Sequence, residues 1–313
     1  MLEVRRLHLL VELSHRGTIA AVASTLHMSP SGISHQLNLL EREAGTRLLE
    51  RVGRGVRLTD AGRRLASRGA EILVALESAQ TELRAAQQQP TGTCRVAAFG
   101  SAARIMVPVL LSTQEAHPGL RVEVVECEPE VAVPALLSGD FDLIVSEEYP
   151  GAIPPPVHQV DRRVLLEDPL ELVVAPRVLA GRTPTELGIE LGTEVAWALE
   201  PVGAASRSWA VQHCVALGFT PDVQYESWDL GLLLLLVRRG AAASLLPRLA
   251  LPPHRESGDL ARTRTGWART LVTLVRRGRE ADPTVRAVRE ALHAAFAEPG
   301  DRSTSSFGSA TDE

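Results

Sequence analysis

The stretch MSPSGISHQLNLLE, Met28 to Glu41, sorts its residues onto two faces of a helix. At about 100° per residue, Ile33, Leu37 and Leu40 fall within one sector, and Ser31, His35, Asn38 and Arg42 lie across from it. One side is dry. The other, with Ser34 on its flank, carries short polar and cationic groups of the kind that bond phosphates and base edges in a major groove. An ordinary solvated face would carry such residues too, so the neighbouring sequence has to decide between the two.

Leu7, Leu10 and Val11 pattern a first helix, and Ile19, Val22, Ala23 and Leu26 a second, at mixed three- and four-residue spacings. Thr18 after Gly17 can cap the second. Ser29, before Pro30 at a first-turn position that proline favours, can cap the third. Two or three residues then separate the second and third helices, which is a helix-turn-helix connection. Beyond it, RLLERVGRGVRLTDAG (Arg47 to Gly62) sets Val52 and Val56 around Gly53, Arg54 and Gly55. Two short strands joined by a glycine turn make a wing, with Arg54 at its tip.

The charge distribution points the same way. Residues 1–64 hold ten arginines against six acidic residues, +4 in a chain of formal net charge −5, so the remainder carries −9. A basic head on an acidic body suits contact with a polyanion. Lysine is absent throughout, which reads as a bias of the encoding genome. At 313 residues, 45% hydrophobic and 23% charged, the chain has the make-up of a soluble protein with two or three domains. Cys94, Cys127 and Cys214 lie far apart, without CxxC or Cys/His clustering, so neither a disulfide framework nor a metal site is expected. No signal-peptide succession opens the sequence, and the longest apolar run, LGLLLLLV after Asp229, is far short of a membrane span. Both predict a cytoplasmic protein with no membrane partner.

From Ala61 to Gln89 there is no proline, and Leu65, Ile72, Leu76, Ala79, Leu83 and Ala86 recur at gaps of seven, four, three, four and three. This heptad-like seam predicts a helix of roughly 40 Å that needs a partner, either its twin in a homodimer or the chain's own body. QQQPTGT, Gln87 to Thr93, ends it as a hinge. Strands and helices then alternate. CRVAAF (Cys94–Phe99), LRVEVVE (Leu120–Glu126), DLIVS (Asp142–Ser146) and LELVVA (Leu170–Ala175) read as strands, followed by VAWALE, VQYES and AAASLL. TLVTLVRRG (Thr270–Gly278) is a last strand and Pro283–Phe296 a last helix. Residues 298–313, rich in Gly, Ser and Thr, read as a disordered tail.

On these motifs the chain resembles the LysR-type transcriptional regulators. GTIAAVASTLHMSPSGISHQLNLLEREAGTRLLERVGRGVRLTDAG, Gly17 to Gly62, follows that family's head from end to end. HPGLRVEV, LLSGDFDLIV and YESWDLGLLLLLVRRGAAASLLPRLAL follow its effector body. The resemblance implies an α/β multi-domain protein: a winged helix-turn-helix over 1–60, a dimerising linker helix over 61–89, and a periplasmic-binding-protein-like effector domain. That domain would comprise two α/β lobes, 90–165 with 266–297, and 166–265. It further implies homotetramers on double-stranded promoter DNA, whose bending changes when a small metabolite enters the cleft between lobes.

For DNA contact the resemblance points to Ser29, Pro30, Ser31, Ser34, His35, Asn38, Arg42 and Arg54. Two departures stand out. Pro30 occupies a position where the family often has glutamine and Ser31 one that is often proline, so an amide able to pair with adenine is missing. His35 replaces a common arginine, and a neutral imidazole offers one donor and one acceptor in place of a bidentate fork. An unusual base preference follows.

For the cleft, the resemblance places Ser101 and Ala102 where a strand runs into a helix, and free amides with a hydroxyl there can hold a carboxylate. Ser146, Glu147, Pro201, Val202, Gly203 and Trp228 are expected around it. An acid at Glu147 suggests an effector that carries an amine as well as a carboxylate, as an amino acid does. No cofactor is expected. The sequence lacks GxSxG, HExxH, a Walker loop and GxGxxG, and no identifiable base accompanies Phe99-Gly100-Ser101, so the reading is of a non-enzyme.

Overall fold

The computed structural model describes residues 1–53, 55–85, 89–151, 159–179, 181, 192, 194–253 and 258–297. The expected tail and the first residues of the hinge lie outside these.

The head opens with α1 (Val4–Arg16), α2 (Ile19–Thr25) and α3 (Pro30–Ala44). Ile33, Leu37 and Leu40 are at most 1% exposed and pack with Leu9, Leu10, Leu13, Val22 and Ala23, so the apolar sector of α3 is the centre of this core. The Thr18 hydroxyl accepts from the Ala21 N–H and the Ser29 hydroxyl from the Gly32 N–H, satisfying amides that the first helical turn leaves without partners. Leu26 to Ser29, four residues, join α2 to α3; the connection is longer than the spacing suggests because Leu26 and Ser29 close and cap the helices on either side. His27 turns the chain there at φ 51°, a left-handed conformation uncommon for a residue with a Cβ.

The wing is formed by β1 (Leu49–Val52) and β2 (Gly55–Leu58), antiparallel, with Val52 opposite Gly55. Arg54 lies outside the described residues. The Glu41 carboxylate accepts from the N–H groups of Leu48 (2.7 Å) and Leu49 (2.9 Å), tying α3 to the wing.

The linker helix α4 spans Asp60–Ala85. Ala66 and Ala70 are buried on the side that meets α1, whereas Ile72, Leu76, Ala79 and Leu83 are exposed, Leu83 at 76%. Of the seam, Leu65 packs partly into the head core, and Ala86 lies outside the described residues. A third flank meets the chain's own body. Arg276 reaches Glu77 at 3.0 Å and also donates to the carbonyls of Leu136 and Phe141. Gly278, at φ 89°, passes so close to α4 that a Cβ would stand 2.6 Å from the Val74 carbonyl oxygen. The body therefore occupies one flank of this helix, and the seam lies exposed on another.

The body runs β3 (Gly92–Ala98), α5 (Gly100–Ala116), β4 (Leu120–Glu126), α6 (Pro129–Leu137), β5 (Leu143–Glu148) and β6 (Val160–Val174). It continues through β7 (Trp197–Leu199), α7 (Ala205–Ala216), β8 (Val223–Glu226), α8 (Leu230–Arg238), β9 (Ser244–Pro247), β10 (Ala261–Arg276) and α9 (Pro283–Ala297). One sheet has the order β4-β3-β5-β10-β6-β9, in which β3 runs parallel to β4 and β5 while β10 is antiparallel to both β5 and β6. Helices α5 and α9 cover one face through Met106, Leu110, Val288 and Leu292, and α6 covers the other through Ala132 and Leu136. Parallel β7 and β8 form the second lobe's sheet, joined to the rest by a bridge from Trp197 to Ala243.

β6 and β10 are longer than the apolar patterns in the sequence suggest. LELVVA and TLVTLVRRG are only parts of these strands, and Val160, Leu165 and Leu166 of β6 enter cores as well. Charged residues, Asp161, Arg162, Arg163 and Asp168 on one strand and Arg262, Arg264 and Arg269 on the other, interrupt the apolar pattern elsewhere, and pairing between the two strands carries the ladder through them. Pro169, which has no N–H to give a ladder, sits at the register break between Arg264 and Ala268. This pair of long strands runs from one lobe into the other and carries the floor of the cleft between them.

Candidate nucleic-acid interface and ligand cleft

On α3, Ser31, His35, Asn38 and Arg42 are exposed together with Ser29 and Pro30 at its start. Ser34 is half-buried, and its hydroxyl donates to the Pro30 carbonyl at 2.9 Å. The Ser29 and Ser31 hydroxyls lie 3.2 Å apart. The free donors on this face are thus the side chains of His35, Asn38 and Arg42, presented by a helix that Glu41 and the dry core hold from behind.

The cleft encloses about 870 Å³, at the upper end of small-molecule sites. Ser101, Glu147 and Trp228 line it, Trp228 at 46% exposure. The other expected residues stand elsewhere. Ala102 is fully buried in the core between α5 and the sheet, because a helix turns successive residues by about 100° and only Ser101 faces the cleft. Ser146 is buried in β5 opposite Val272; alternate residues of a strand face opposite sides, so Glu147 faces the cleft and Ser146 does not. Pro201, Val202 and Gly203 turn outward, Val202 at 80% exposure, and Glu200 just before them is the residue that lines the cavity.

Arg269 of β10 is the hub of the floor. It is 1% exposed and donates to Asp168 at 2.8 Å and 3.0 Å, to the Ser101 hydroxyl at 3.0 Å, and to Glu147, while its guanidinium lies 5.0 Å from the centre of the Phe99 ring. The remaining Asp168 oxygen accepts from the Leu249 N–H. Burial pushes the Glu147 and Asp168 carboxyls up, against the pull of Arg269. Glu147 already has a cation, so it is not the acid left free for a ligand amine. The Ser101 hydroxyl is likewise engaged. The start of α5 has its own anion too, since a Glu126 carboxylate oxygen lies 3.0 Å from where a Gly100 Cβ would stand.

Sequence reading missed Phe99, Arg104, Glu126, Glu128, Glu200 and Arg269, all of which line the cavity. The run of acids where β4 ends at Glu126 and α6 begins after Glu128 was a visible signal, although only the fold shows that both line the cavity. Nothing in the sequence pairs Arg269 with Asp168, about a hundred residues away. Glu126, Glu128 and Glu200 have no ion-pair partner among the described residues. Burial first, then Glu147, pushes the carboxyls of Glu128 and Glu200 each up to about 7.

Between about 4.5, the ordinary carboxylate value, and about 7, the folded chain holds protons on Glu128 and Glu200 that the unfolded chain has released. These two groups therefore make stability fall as pH rises through that window. His15, His213 and His293, held low by burial, act with the opposite sign below 6.5, so the readout has to be a difference. The melting temperature of E128Q/E200Q minus that of the parent is expected to grow from pH 5 to pH 7.5; a constant difference would remove these acids as the source.

Comparison with known proteins agrees with this architecture. Residues 4–63 match the family model of the bacterial regulatory helix-turn-helix protein, lysR family, and residues 87–297 that of the LysR substrate binding domain. The transcriptional dual regulator GltC of Bacillus subtilis is 26% identical over 247 residues, 79% of this chain and 81% of GltC. The HTH-type transcriptional regulator TfdT of Cupriavidus pinatubonensis is 29% identical over 150 residues, 48% of this chain, and the match spans 66% of TfdT's length. A full-length OxyR variant from Pseudomonas aeruginosa shares the fold, with a TM-score of 0.59 at 19% identity, over 95% of this chain and 98% of that one. These relatives carry the names of regulators and not of enzymes, and no helix among the described residues is long and apolar enough to cross a membrane. With a winged head, a linker helix and a two-lobed body that match these models over most of its length, the chain belongs to the LysR family and is a LysR-type transcriptional regulator.

Proposed function

We propose that this regulator binds promoter DNA through the exposed face of α3 and the wing, and that a small metabolite entering the cleft changes that binding. The observation that carries the DNA half is the segregation within α3: Ile33, Leu37 and Leu40 buried, Ser31, His35, Asn38 and Arg42 exposed on a capped and braced helix. In this reading Ser29, Pro30, Ser31 and Ser34 bring the start of α3 against the phosphates, His35 and Asn38 reach base edges, and Arg42 and Arg54 hold the backbone.

Arg54→Ala is expected to weaken binding about equally on all sequences and to reduce the log–log salt slope by about one. An unaltered slope takes Arg54 off the interface. His35→Ala is expected to lose roughly 1–3 kcal/mol of discrimination at one base position, read by competition among single-base operator variants. A profile like the parent's would mean that His35 does no reading.

The open seam of Ile72, Leu76, Ala79 and Leu83 supports a homodimer through α4, and the family resemblance extends that to a homotetramer acting in the cytoplasm. Of the two effector chemistries the sequence left open, a carboxylate and an amino acid, the acid-rich lining favours the one that brings an ammonium. Footprinting on the DNA upstream of the protein's own gene, with and without a panel of amino acids and aromatic acids, tests the whole reading. A protected pseudo-palindrome altered by one compound is the expected result. No protection at any salt concentration would overturn it.

A further inference from the structure

We infer that the cleft takes an organic cation, its primary amine or guanidinium gripped by Glu128 from one lobe and Glu200 from the other, its apolar stem against Trp228, Val107 and Leu249. The inference rests on the reading of the cleft as the effector site and narrows its ligand to one chemical class, in which the amine is required and a carboxylate is dispensable.

The lining decides the sign of the ligand. Glu126, Glu128, Glu147, Glu200 and Asp229 face the cavity against Arg104 and Arg269. Arg269 is saturated by Glu147, Asp168 and Ser101, and Asp229 caps α8 through the Gly231 N–H. What remains without an ion pair among the described residues is three carboxylates, Glu126, Glu128 and Glu200, and one exposed arginine at the rim. An anionic ligand would meet Glu126 at the start of α5 and Asp229 at the start of α8.

The lining also decides the size. Among the described residues no three His, Cys, Asp or Glu side chains gather as a metal site, and a bare ion would leave most of 870 Å³ unfilled. Val107, Pro108, Leu230 and Leu249 give the space apolar walls, and among the described residues Trp228 presents the one aromatic ring lining the cavity that no arginine already covers. An ammonium or guanidinium on a short apolar stem satisfies all of these together. Glu128 follows β4 and Glu200 follows β7, close enough that each carboxylate disfavours the other's charge, and a cation between them is attracted to both lobes. The same contact would hold the lobes together.

Matched compounds separate the charges. Isothermal titration of the full-length protein with phenylalanine, phenethylamine and 3-phenylpropionate, and with arginine and agmatine, is expected to show binding by phenethylamine or agmatine and none by 3-phenylpropionate. Glu128→Gln and Glu200→Gln preserve shape, and each is expected to weaken that amine about tenfold, between the worth of an exposed and a buried charge pair. Binding by 3-phenylpropionate alone would overturn the cation inference while sparing the cleft as effector site, and so would amine binding that both glutamine variants leave unchanged. Binding by none of the five overturns it as well. Failure of the cleft reading has a different mark: amine affinity unaltered in Val107→Trp, which fills the cavity from α5.

Discussion

Replacing Arg269 with methionine is expected to cost the effector body roughly 3–5 kcal/mol, the usual penalty for removing one partner of a buried charge pair. The side chain is 1% exposed and answers two carboxylates, Glu147 and Asp168, that burial already disfavours as anions. Methionine fills similar space but leaves both acids without a cation. Measurement is direct because all four tryptophans, Trp197, Trp209, Trp228 and Trp267, lie in the body, and no aromatic residue precedes Phe99. Tryptophan fluorescence in urea therefore follows the body alone. Adding Glu147→Gln and Asp168→Asn to the methionine variant is expected to recover much of the loss, since the orphaned charges, and not the missing contact, carry most of it. A single-variant loss below about 1 kcal/mol would mean that water replaces the guanidinium.

Leu37→Ala is expected to remove roughly 2–5 kcal/mol from the head, in the range measured for buried leucines whose cavity cannot collapse. Leu37 is 1% exposed in a core of about ten side chains, and a unit of about 60 residues has a total stability of only about 3–9 kcal/mol. The loss is therefore expected to abolish DNA binding at 37 °C. Circular dichroism at 222 nm should show a first, low-temperature transition that tryptophan fluorescence does not register. Asn38→Ala, one residue on and exposed, is expected to change stability by no more than about 0.5 kcal/mol while altering DNA affinity. If Leu37→Ala melts with the parent, then α3 is held by more than its dry face.

The head is where sequence and structure agree most closely, and the reason is local. Caps, helical periodicity and the wing's glycine turn each act over a few residues, so Thr18, Ser29 and the Ile33, Leu37 and Leu40 sector can be read without knowing the rest of the fold. His27 is the exception: a left-handed residue with a side chain carries no pattern. In the body LELVVA of β6 and TLVTLVRRG of β10 were legible and the charge-interrupted rest of each strand was not, because a strand stabilised by its neighbour's hydrogen bonds needs no continuous apolar alternation of its own.

By itself the sequence determined that this chain has a basic helix-turn-helix head, a long amphipathic helix and an α/β body, since each of these is written in periodicity, capping and charge. Only the tertiary structure decided what the cleft can hold. Arg269 meets Asp168 and Glu147 across 101 and 122 residues, and Glu128 comes to face Glu200 from another lobe. Charge in a cleft is a property of which side chains neutralise one another, and that depends on distances the linear order does not contain.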